Sequence, residues 1–308
     1  MMTDFVSNEV AIKVRGVVRL TRWREYVPFV IPATVFGALL AARASQQTTL
    51  DWRLLVVILA NILAVGYGFM INDIEDAPDD AREAHRAARN PVANGELTRT
   101  QGWMASGSVA AVTLILYALA GIWPFIIGLL TLSLCHLYSW KPVRLKAWPV
   151  TDIVSHSLML SGLLFLSGFF TYGNNPGLVW LVALAATLIS AYGQLYNQLR
   201  DFEMDKAAGL NNTAIIVGKR NAYLLMYSSV AVAVLLMLYA LYMQVIPLWI
   251  VIVPLLIAPI MLFSRTPTRD MRGSTTTDIS GTMQVQLLLI ANLTIAVWLV
   301  VTMLLRIR

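Results

Sequence analysis

Residues 53–80 of the chain read RLLVVILANILAVGYGFMINDIEDAPDD. The first part of this stretch, 53–72, is an apolar run of the length that an α-helix needs to cross a hydrocarbon core of about 30 Å. The run leads directly into a group of carboxylates that begins at Asp73. The stretch therefore predicts a membrane-spanning helix with acidic side chains at one end.

The composition of the whole chain agrees with this interpretation. Of the 308 residues, 58% are hydrophobic and only 13% are charged, whereas soluble domains carry about 25% charged residues. This composition excludes a disordered chain, a coiled coil and a disulfide scaffold. The one cysteine, Cys135, lies in an apolar run, so no disulfide, CxxC pair or cysteine zinc cluster is available. The sequence predicts an integral membrane protein.

Apolar runs of spanning length occur nine times along the chain. They predict an all-α integral membrane protein with nine transmembrane helices in one bundle, occupying residues 27–308. The third and fourth runs nearly merge, and the stretch between Gly121 and Pro124 indicates the turn that separates them. The approximate ranges are 27–42, 53–72, 102–121, 122–140, 150–171, 177–199, 222–241, 246–263 and 283–305.

The distribution of charge predicts the orientation of the bundle. With a cytoplasmic N-terminus, 19 of the 23 Lys and Arg residues lie on the cytoplasmic side, as the positive-inside rule requires. Sixteen of the 17 carboxylates lie on the same side, although acids do not normally follow that rule. We expect a multi-pass protein of the plasma membrane whose acidic end faces the cytoplasm. Basic loops beside anionic lipid explain the net charge of +6 without a nucleic-acid partner.

The N-terminal segment, residues 1–26, carries five basic residues and shows no signal-peptide pattern. Between Val10 and Arg24, apolar residues alternate with basic ones. This alternation is typical of a basic amphipathic segment that lies on the cytoplasmic membrane surface. A solvated basic tail is the alternative interpretation.

The first acidic cluster follows the second predicted span. Asn72, Asp76 and Asp80 are spaced four apart, so a helix would place them in one stripe of oxygen ligands. Such a stripe suits Mg²⁺, which takes one or two carboxylates together with substrate phosphate oxygens. Pro78 should kink or end the helix here. Asp79 could then replace Asp80 as the inward-facing acid.

A second acidic cluster follows the sixth predicted span. Asp201 and Asp205 are again four apart, and Asn197 precedes Asp201 by four. Both clusters emerge on the same side of the membrane, four spans apart, which indicates a weak internal repeat. Solvated acidic helix ends are the alternative, and two matched clusters argue against it.

Cations accompany the acids on that side. Lys141, Arg144 and Lys146 lie in the short loop between spans four and five, and Arg89 lies in the loop after the first cluster. Metal ions and cations together suit a diphosphate, because arginine and lysine bind the phosphate oxygens that the metal leaves free. Ordinary positive-inside charge is the alternative for any single cation.

In these features the chain resembles the UbiA superfamily of intramembrane prenyltransferases. Residues 72–80 resemble its NDxxDxxxD signature, and 201–205 resemble its DxxxD signature. The segment 89–95 resembles the family's Arg-Pro-Leu-x-Ser-Gly loop with an extra residue, and 211–218 resembles a Thr-x-Ala-x-x-Leu-Gly stretch. Two spaced motifs within a nine-span pattern make the resemblance specific over almost the whole chain.

The resemblance implies Mg²⁺-dependent transfer of a prenyl group from an isoprenyl diphosphate to a lipophilic acceptor in the membrane. The acceptor is an aromatic or quinone precursor, a tetrapyrrole, a carotenoid or a lipid. The resemblance assigns metal ligation to Asn72, Asp76, Asp80, Asp201 and Asp205, with Asp76 and Asp201 also catalytic. It assigns diphosphate binding to Arg89, Lys141, Arg144 and Lys146.

An allylic carbocation needs a chamber from which water is excluded, and aromatic faces stabilise positive charge. Candidate contacts for the carbocation or the acceptor lie near the predicted mouth: Tyr138, Tyr192, Tyr196 and Asn197. Aromatic residues within spans are, alternatively, packing residues.

Two other functions remain open at this point. One keeps the fold and cyclises the prenyl diphosphate without an acceptor, as a membrane terpene cyclase. The other is a membrane transporter that uses the acids as a relay. Relay acids normally lie inside the spans, whereas here only Asp152 begins one and the rest crowd at one end.

Overall fold

The computed structural model of the chain describes residues 2–46, 49–207, 209–263, 269–271 and 274–305. Within these ranges the regular structure is helical, and the one extended pairing is an isolated bridge between Arg269 and Thr275. The predicted all-α class is therefore confirmed. Four residues of the predicted charge partition lie outside the described ranges: Arg265, Arg272, Arg306 and Arg308.

Fourteen helices, α1 to α14, follow one another along the described chain. A π-helical segment, Leu158–Gly162, joins α7 to α8, and another, Val301–Leu305, continues α14. In order, the helices are Met2–Leu20, Val27–Ala44, Arg53–Asp80, Ala84–Arg89, Arg99–Ala120, Ile122–Ser139, Thr151–Ser157, Leu163–Phe170, Val179–Arg200, Phe202–Ala207, Thr213–Val217, Lys219–Tyr242, Ile252–Leu262 and Ile279–Val300.

Among the described residues, 8 helices are long and apolar enough to cross a membrane, with α7 and α8 counted as one. The predicted count of nine is not confirmed. The remaining predicted span, 246–263, corresponds to a shorter apolar helical stretch, Leu248–Met261, in which a 3-10 turn, Leu248–Val251, precedes α13. With about 2.0 Å per residue in the 3-10 turn and 1.5 Å in α13, this stretch extends only about 23 Å, which is less than the hydrocarbon core of a typical bilayer.

The predicted turn between the third and fourth spans is confirmed. Helix α5 ends at Ala120 and α6 begins at Ile122, with Gly121 between them at a φ of 140°. Residues with a side chain rarely adopt that conformation, whereas glycine adopts it readily. The single glycine thus separates two long apolar helices.

Close packing between α2 and α8 forms the centre of the bundle. A Cβ atom at Gly37 would lie 2.0 Å from the carbonyl oxygen of Phe165, and one at Gly168 would lie 2.1 Å from that of Thr34. Small residues at such crossings let helix backbones approach closely within a membrane. A side chain at either glycine would force α2 and α8 apart.

A buried polar group joins α3 to this centre. The Asn61 amide donates to the Thr34 hydroxyl (2.7 Å) and to the carbonyl oxygen of Leu164 (3.1 Å). Its own oxygen accepts hydrogen bonds from Tyr117 and Ser167. Because an unpaired amide is costly in an apolar interior, this network fixes α3 against α2, α5 and α8.

The end of α3 differs from the expectation at Pro78. The helix continues through Pro78 to Asp80. Pro78 stands only two residues before the end, so it removes one backbone bond, and the amide of Ala81 still bonds the carbonyl of Ala77 (3.0 Å). The stripe of the first acidic cluster therefore remains on a continuous helix.

The N-terminal segment contains α1, which lies along the start of α5 and the end of α3. Leu20 and Val17 pack there against Met70, Ile74 and Leu97. The location of residues 1–26 at the cytoplasmic membrane surface stays a prediction, as does the domain division at residue 27.

Candidate active site

The ends of α3 and α9 face each other across one cavity of about 730 Å³. The structure thus brings together two clusters that are more than 120 residues apart in the chain. The predicted ligands that line this cavity are Asn72, Asp76, Asp80, Asp201 and Asp205, with Asn197 beside them. We call it the central cavity.

Asp76 is the most strongly paired carboxylate of the first cluster. It accepts hydrogen bonds from Lys146 (2.6 Å) and Arg144 (3.2 Å). Lys146 also donates to Asn72 (2.9 Å), which accepts a further bond from Ser139 (3.0 Å). Burial lowers the pKa of Lys146, and the charge of Asp76 opposes that shift. The loop after α6 therefore delivers two cations directly onto the ligand stripe.

Asp80 is held by a residue that sequence reasoning noted only as an extra residue of the family loop. The Asn90 amide donates to Asp80 (2.9 Å) and to the carbonyl oxygen of Asp73 (2.7 Å). The Asn90 oxygen accepts from the backbone amides of Val92 and Ala93. Asn90 is buried, so it fixes the position of Asp80 relative to α3.

Asp79 and Asp80 occupy different environments, although both line the central cavity. The Asp79 side chain is 48% exposed, and its nearest cation is Arg82 at 3.7 Å. Since α3 continues to Asp80, this residue stays in line with Asn72 and Asp76. The continuous helix keeps Asp80 on the predicted stripe, and its role as a metal ligand stays a prediction.

We expect Asp80→Asn to raise the apparent Mg²⁺ requirement about tenfold, because it removes a ligand charge from the stripe, whereas Asp79→Asn should leave it within about twofold. Initial rates over a Mg²⁺ titration of both variants make the comparison. A raised requirement in Asp79→Asn alone would show that Asp79 is the ligand.

Asp201 forms a bidentate ion pair with Arg200, the residue before it. Arg200 donates to its two carboxylate oxygens at 2.9 and 2.8 Å, and also to Asp270 at 2.8 Å. Helix α9 ends at Arg200, and the amide of Asp205 bonds the carbonyl of Asp201 (2.9 Å). This turn carries Asp205 into the central cavity.

Asp205 is positioned by an asparagine in the following loop, as Asp80 is. The Asn212 amide donates to Asp205 (2.9 Å), and the Asn212 oxygen caps α11 by accepting from the amide of Ile215. Burial raises the pKa of Asp205, and the nearby charge of Asp201 adds to that shift. The last carboxylate of each cluster is therefore held by a buried asparagine.

A fully buried carboxylate fixes this loop. Asp152, at the start of α7, accepts from the backbone amide of Thr213 (2.7 Å) and from Gln198 (2.7 Å), and the Thr213 hydroxyl also donates to it. Gln198 in turn accepts from the amide of Ala214 (3.0 Å). The contacts of Asp152 thus indicate a structural role: it connects the loop after the second cluster to the end of α9.

We expect Asn212→Ser to weaken apparent Mg²⁺ binding about tenfold, because serine keeps the helix cap but does not reach Asp205. The neighbouring Asn211→Ser variant serves as the matched control, since Asn211 also lines the cavity but no hydrogen bond joins it to a described carboxylate. Rates over a Mg²⁺ titration measure the effect. Equal affinity in both variants would contradict the positioning role.

The predicted diphosphate cations do not all reach the central cavity. Arg144 and Lys146 line it, whereas Lys141 is exposed on the same loop and does not. Arg89 lines a neighbouring cavity and pairs with Glu25 at 3.0 Å. Three further arginines line the central cavity although sequence reasoning did not select them: Arg22, Arg82 and Arg86.

The candidate aromatic contacts also separate. Tyr138 lines the central cavity, where its hydroxyl accepts from Gln194 (3.2 Å). The hydroxyls of Tyr192 and Tyr196 instead lie near α14 and the loop before it, accepting at 3.2 Å from Gln284 and from the amide of Thr277, respectively. Neither tyrosine is among the residues that line the cavity.

Apolar side chains form the part of the central cavity that extends between the spans. They are Val65, Phe69, Cys135, Met159 and Leu160. An apolar wall beneath a charged mouth matches a ligand with a charged head and a hydrocarbon tail.

The donor set fits Mg²⁺ bound through a phosphate ligand. Within the described residues, no three His, Cys, Asp or Glu side chains converge on one metal position. The two clusters instead offer carboxylate and amide oxygens from opposite sides of the cavity. Mg²⁺ needs only one or two carboxylates when substrate phosphates supply other ligands, so each cluster suffices for that mode of binding.

Comparisons with known proteins agree on one family. The model of the UbiA prenyltransferase family matches residues 30–278. The chain is 28% identical over 189 residues to a digeranylgeranylglyceryl phosphate synthase of Thermococcus kodakarensis, covering 61% of this chain and 64% of that protein. It is 30% identical over 169 residues to a lycopene elongase/hydratase of Haloferax volcanii, covering 53% and 51%. These matches span less than two thirds of the length of either relative.

Solved structures share the fold over nearly the whole chain. A UbiA homologue from Archaeoglobus fulgidus bound to GPP and Mg²⁺ superposes with a TM-score of 0.72 at 24% identity, covering 94% of this chain and 99% of that one. The same homologue bound to DMAPP and Mg²⁺ gives a TM-score of 0.71 at 24% identity, covering 93% and 98%.

Proposed function

Because this chain belongs to the UbiA prenyltransferase family, we propose that it transfers a prenyl group from an isoprenyl diphosphate to a lipophilic acceptor within the membrane. The reaction depends on Mg²⁺. One observation carries the proposal: two carboxylate clusters, one at the end of α3 and one just after α9, face one cavity, and Lys146 and Arg144 lie against the first.

The charged mouth of the central cavity binds the diphosphate. The carboxylates of the two clusters would hold Mg²⁺, which would supply positive charge to stabilise the departing diphosphate. Lys146 and Arg144 stand beside Asp76, within reach of phosphate oxygens that the metal leaves free. Arginine binds such oxygens through two parallel hydrogen bonds, and lysine binds them as a point charge.

The apolar part of the cavity receives the prenyl chain. Phe69, Met159 and Leu160 line it, and they keep water away from the allylic carbon as the C–O bond breaks. Tyr138 offers an aromatic face near this region, where developing positive charge is stabilised. The acceptor then attacks the allylic carbon in place of water, diphosphate leaves with the electrons of the C–O bond, and the acceptor releases a proton.

The acceptor candidates are a glyceryl phosphate lipid, a carotenoid, an aromatic or quinone precursor, and a tetrapyrrole. The charge partition of the loops supports a plasma-membrane location in which the clusters face the cytoplasm. A transporter relay finds less support, because the acids crowd at the mouth of the central cavity.

An assay of label transfer tests the proposal. Membranes containing the protein are supplied with a radiolabelled prenyl diphosphate and one acceptor from each class, in Mg²⁺ or in EDTA. We expect label to enter a lipophilic product only when Mg²⁺ and one acceptor class are both present. A labelled hydrocarbon formed without any acceptor would instead identify a terpene cyclase.

A further inference from the structure

A second cavity, also of about 730 Å³, lies beside the central cavity on the side of α1. Four carboxylates and six arginines line it. The arginines are Arg15, Arg19, Arg22, Arg24, Arg86 and Arg89. We call it the N-terminal basin. Its excess of positive charge indicates a ligand that is an anion.

The N-terminal basin adjoins the central cavity, and the first acidic cluster lines both of them. Five residues line both cavities: Arg22, Asn72, Asp76, Asp80 and Arg86. Asp201, Asp205 and Lys146 line only the central cavity, whereas Arg15 and Arg24 line only the basin. An anion in the N-terminal basin therefore lies on the side of α3 away from the second cluster. The diphosphate, placed between the two clusters, leaves the basin available for a different ligand.

Part of the basin wall is held by ion pairs. Arg22 pairs with Glu25 (2.6 Å) and Asp73 (3.4 Å), and Arg89 pairs with Glu25 (3.0 Å). Arg19 pairs with Glu96. These contacts connect the N-terminal segment to α3 and to the loop after it, so the basin has a fixed wall.

Two arginines of the basin have no ion-pair partner among the described residues. Arg15 and Arg24 are exposed, and neither forms a hydrogen bond or ion pair with any residue that the structure describes. The Arg24 guanidinium lies over the Trp23 ring, 5.3 Å from its centroid. Their charges are therefore available to a ligand without the loss of any existing ion pair.

The rim of the basin is apolar where it meets the surroundings. Val18 and Trp23 line the basin yet are 49% and 44% exposed, and Val14, one turn earlier on α1, is 58% exposed. Exposed valine and tryptophan beside arginine are typical of a segment at the level of lipid headgroups. A ligand there meets cations at its head and apolar side chains beside them.

We propose that the N-terminal basin binds the phosphate group of a phosphomonoester, presented at the membrane surface by a lipid. Arginine suits this group because its planar fork of donors matches two phosphate oxygens. Arg15 and Arg24 provide the contacts, and the paired arginines provide the wall. The inference does not depend on the transfer reaction.

Lipid retention by purified protein in a neutral detergent tests the proposal, without Mg²⁺ or prenyl diphosphate. Native mass spectrometry measures retention of phosphatidic acid, with diacylglycerol as its uncharged counterpart. The wild type should retain phosphatidic acid about 25-fold better than the R15Q/R24Q variant, because each of the two cations near an anionic headgroup contributes roughly fivefold. The single variants R15Q and R24Q should each lose about fivefold.

The matched control is R220Q/R269Q, which removes the same net charge from two exposed residues that line neither cavity. It should retain phosphatidic acid like the wild type. Competition by glycerol 3-phosphate would assign binding to the phosphate alone, and its failure to compete would assign binding to the lipid headgroup. Equal retention by the wild type and R15Q/R24Q, or equal losses in R15Q/R24Q and the control, would overturn the proposal.

Discussion

Replacing Asp76 or Asp201 with asparagine should lower kcat by about 10³-fold or more. Metal ions at a departing phosphoryl group supply several kcal/mol of transition-state stabilisation, and each 1.36 kcal/mol corresponds to a factor of ten in rate. Asparagine keeps the shape of aspartate but removes the charge that binds the metal. The two residues belong to different clusters, so either change should weaken one half of the site.

Two features of the structure make these variants informative. The asparagine oxygen can still accept from Lys146 at position 76 and from Arg200 at position 201, where the native carboxylates do so. Neither cation is then left without an acceptor, so the variants should fold. A loss of turnover would thus report on the chemistry rather than on stability.

Glu203→Gln is the matched control for the second cluster. Glu203 lies between Asp201 and Asp205 but pairs with Lys219 outside the cavity. We expect its turnover to stay within about twofold of the wild type, because an exposed ion pair contributes little. Size-exclusion profiles check folding, and kcat is measured at saturating Mg²⁺. Folded Asp76→Asn and Asp201→Asn variants with near-normal turnover would exclude the two-cluster site.

Much of this architecture was predictable from local patterns. The apolar runs predicted an all-helical membrane bundle, and the two motifs predicted the family, which the family match confirms. Both signals are local in sequence: a spanning helix needs only its own run of apolar residues, and a ligand stripe needs only a spacing of four.

Features set by tertiary contacts were not predictable in this way. Pro78 does not break α3 within the ligand stripe, because the helix continues past the proline to Asp80. Tyr192 and Tyr196 were predicted near the mouth by their position along α9. Successive residues of a helix are rotated by about 100°, so Tyr196 cannot share the face of Asn197, which lines the cavity. Gln194 lies close to that face and does line it.

The second large loss of activity is expected for a substitution in the loop 141–146. Lys146→Met should lower kcat/KM about 30-fold, and Lys141→Met should stay within about twofold of the wild type. From the sequence alone, Lys141 and Lys146 were equivalent candidates for diphosphate binding, because both lie in the same short basic loop. In the structure, Arg144 adopts the left-handed conformation with a φ of 45°, and the chain beyond it returns Lys146 to Asn72 and Asp76. Lys141 remains exposed before that turn.

The expected magnitude follows from the contacts of Lys146. A hydrogen bond to a charged group contributes about 1.5–3 kcal/mol, or roughly ten- to 150-fold in rate if it is made to the departing diphosphate. Methionine matches the length of the lysine stem but carries no charge. Lys146→Arg should recover part of the activity, because it restores a cation beside Asp76. Steady-state kinetics with varied prenyl diphosphate measure the three variants. A greater loss in Lys141→Met than in Lys146→Met would show that the exposed lysine, rather than the one beside Asp76, binds the diphosphate.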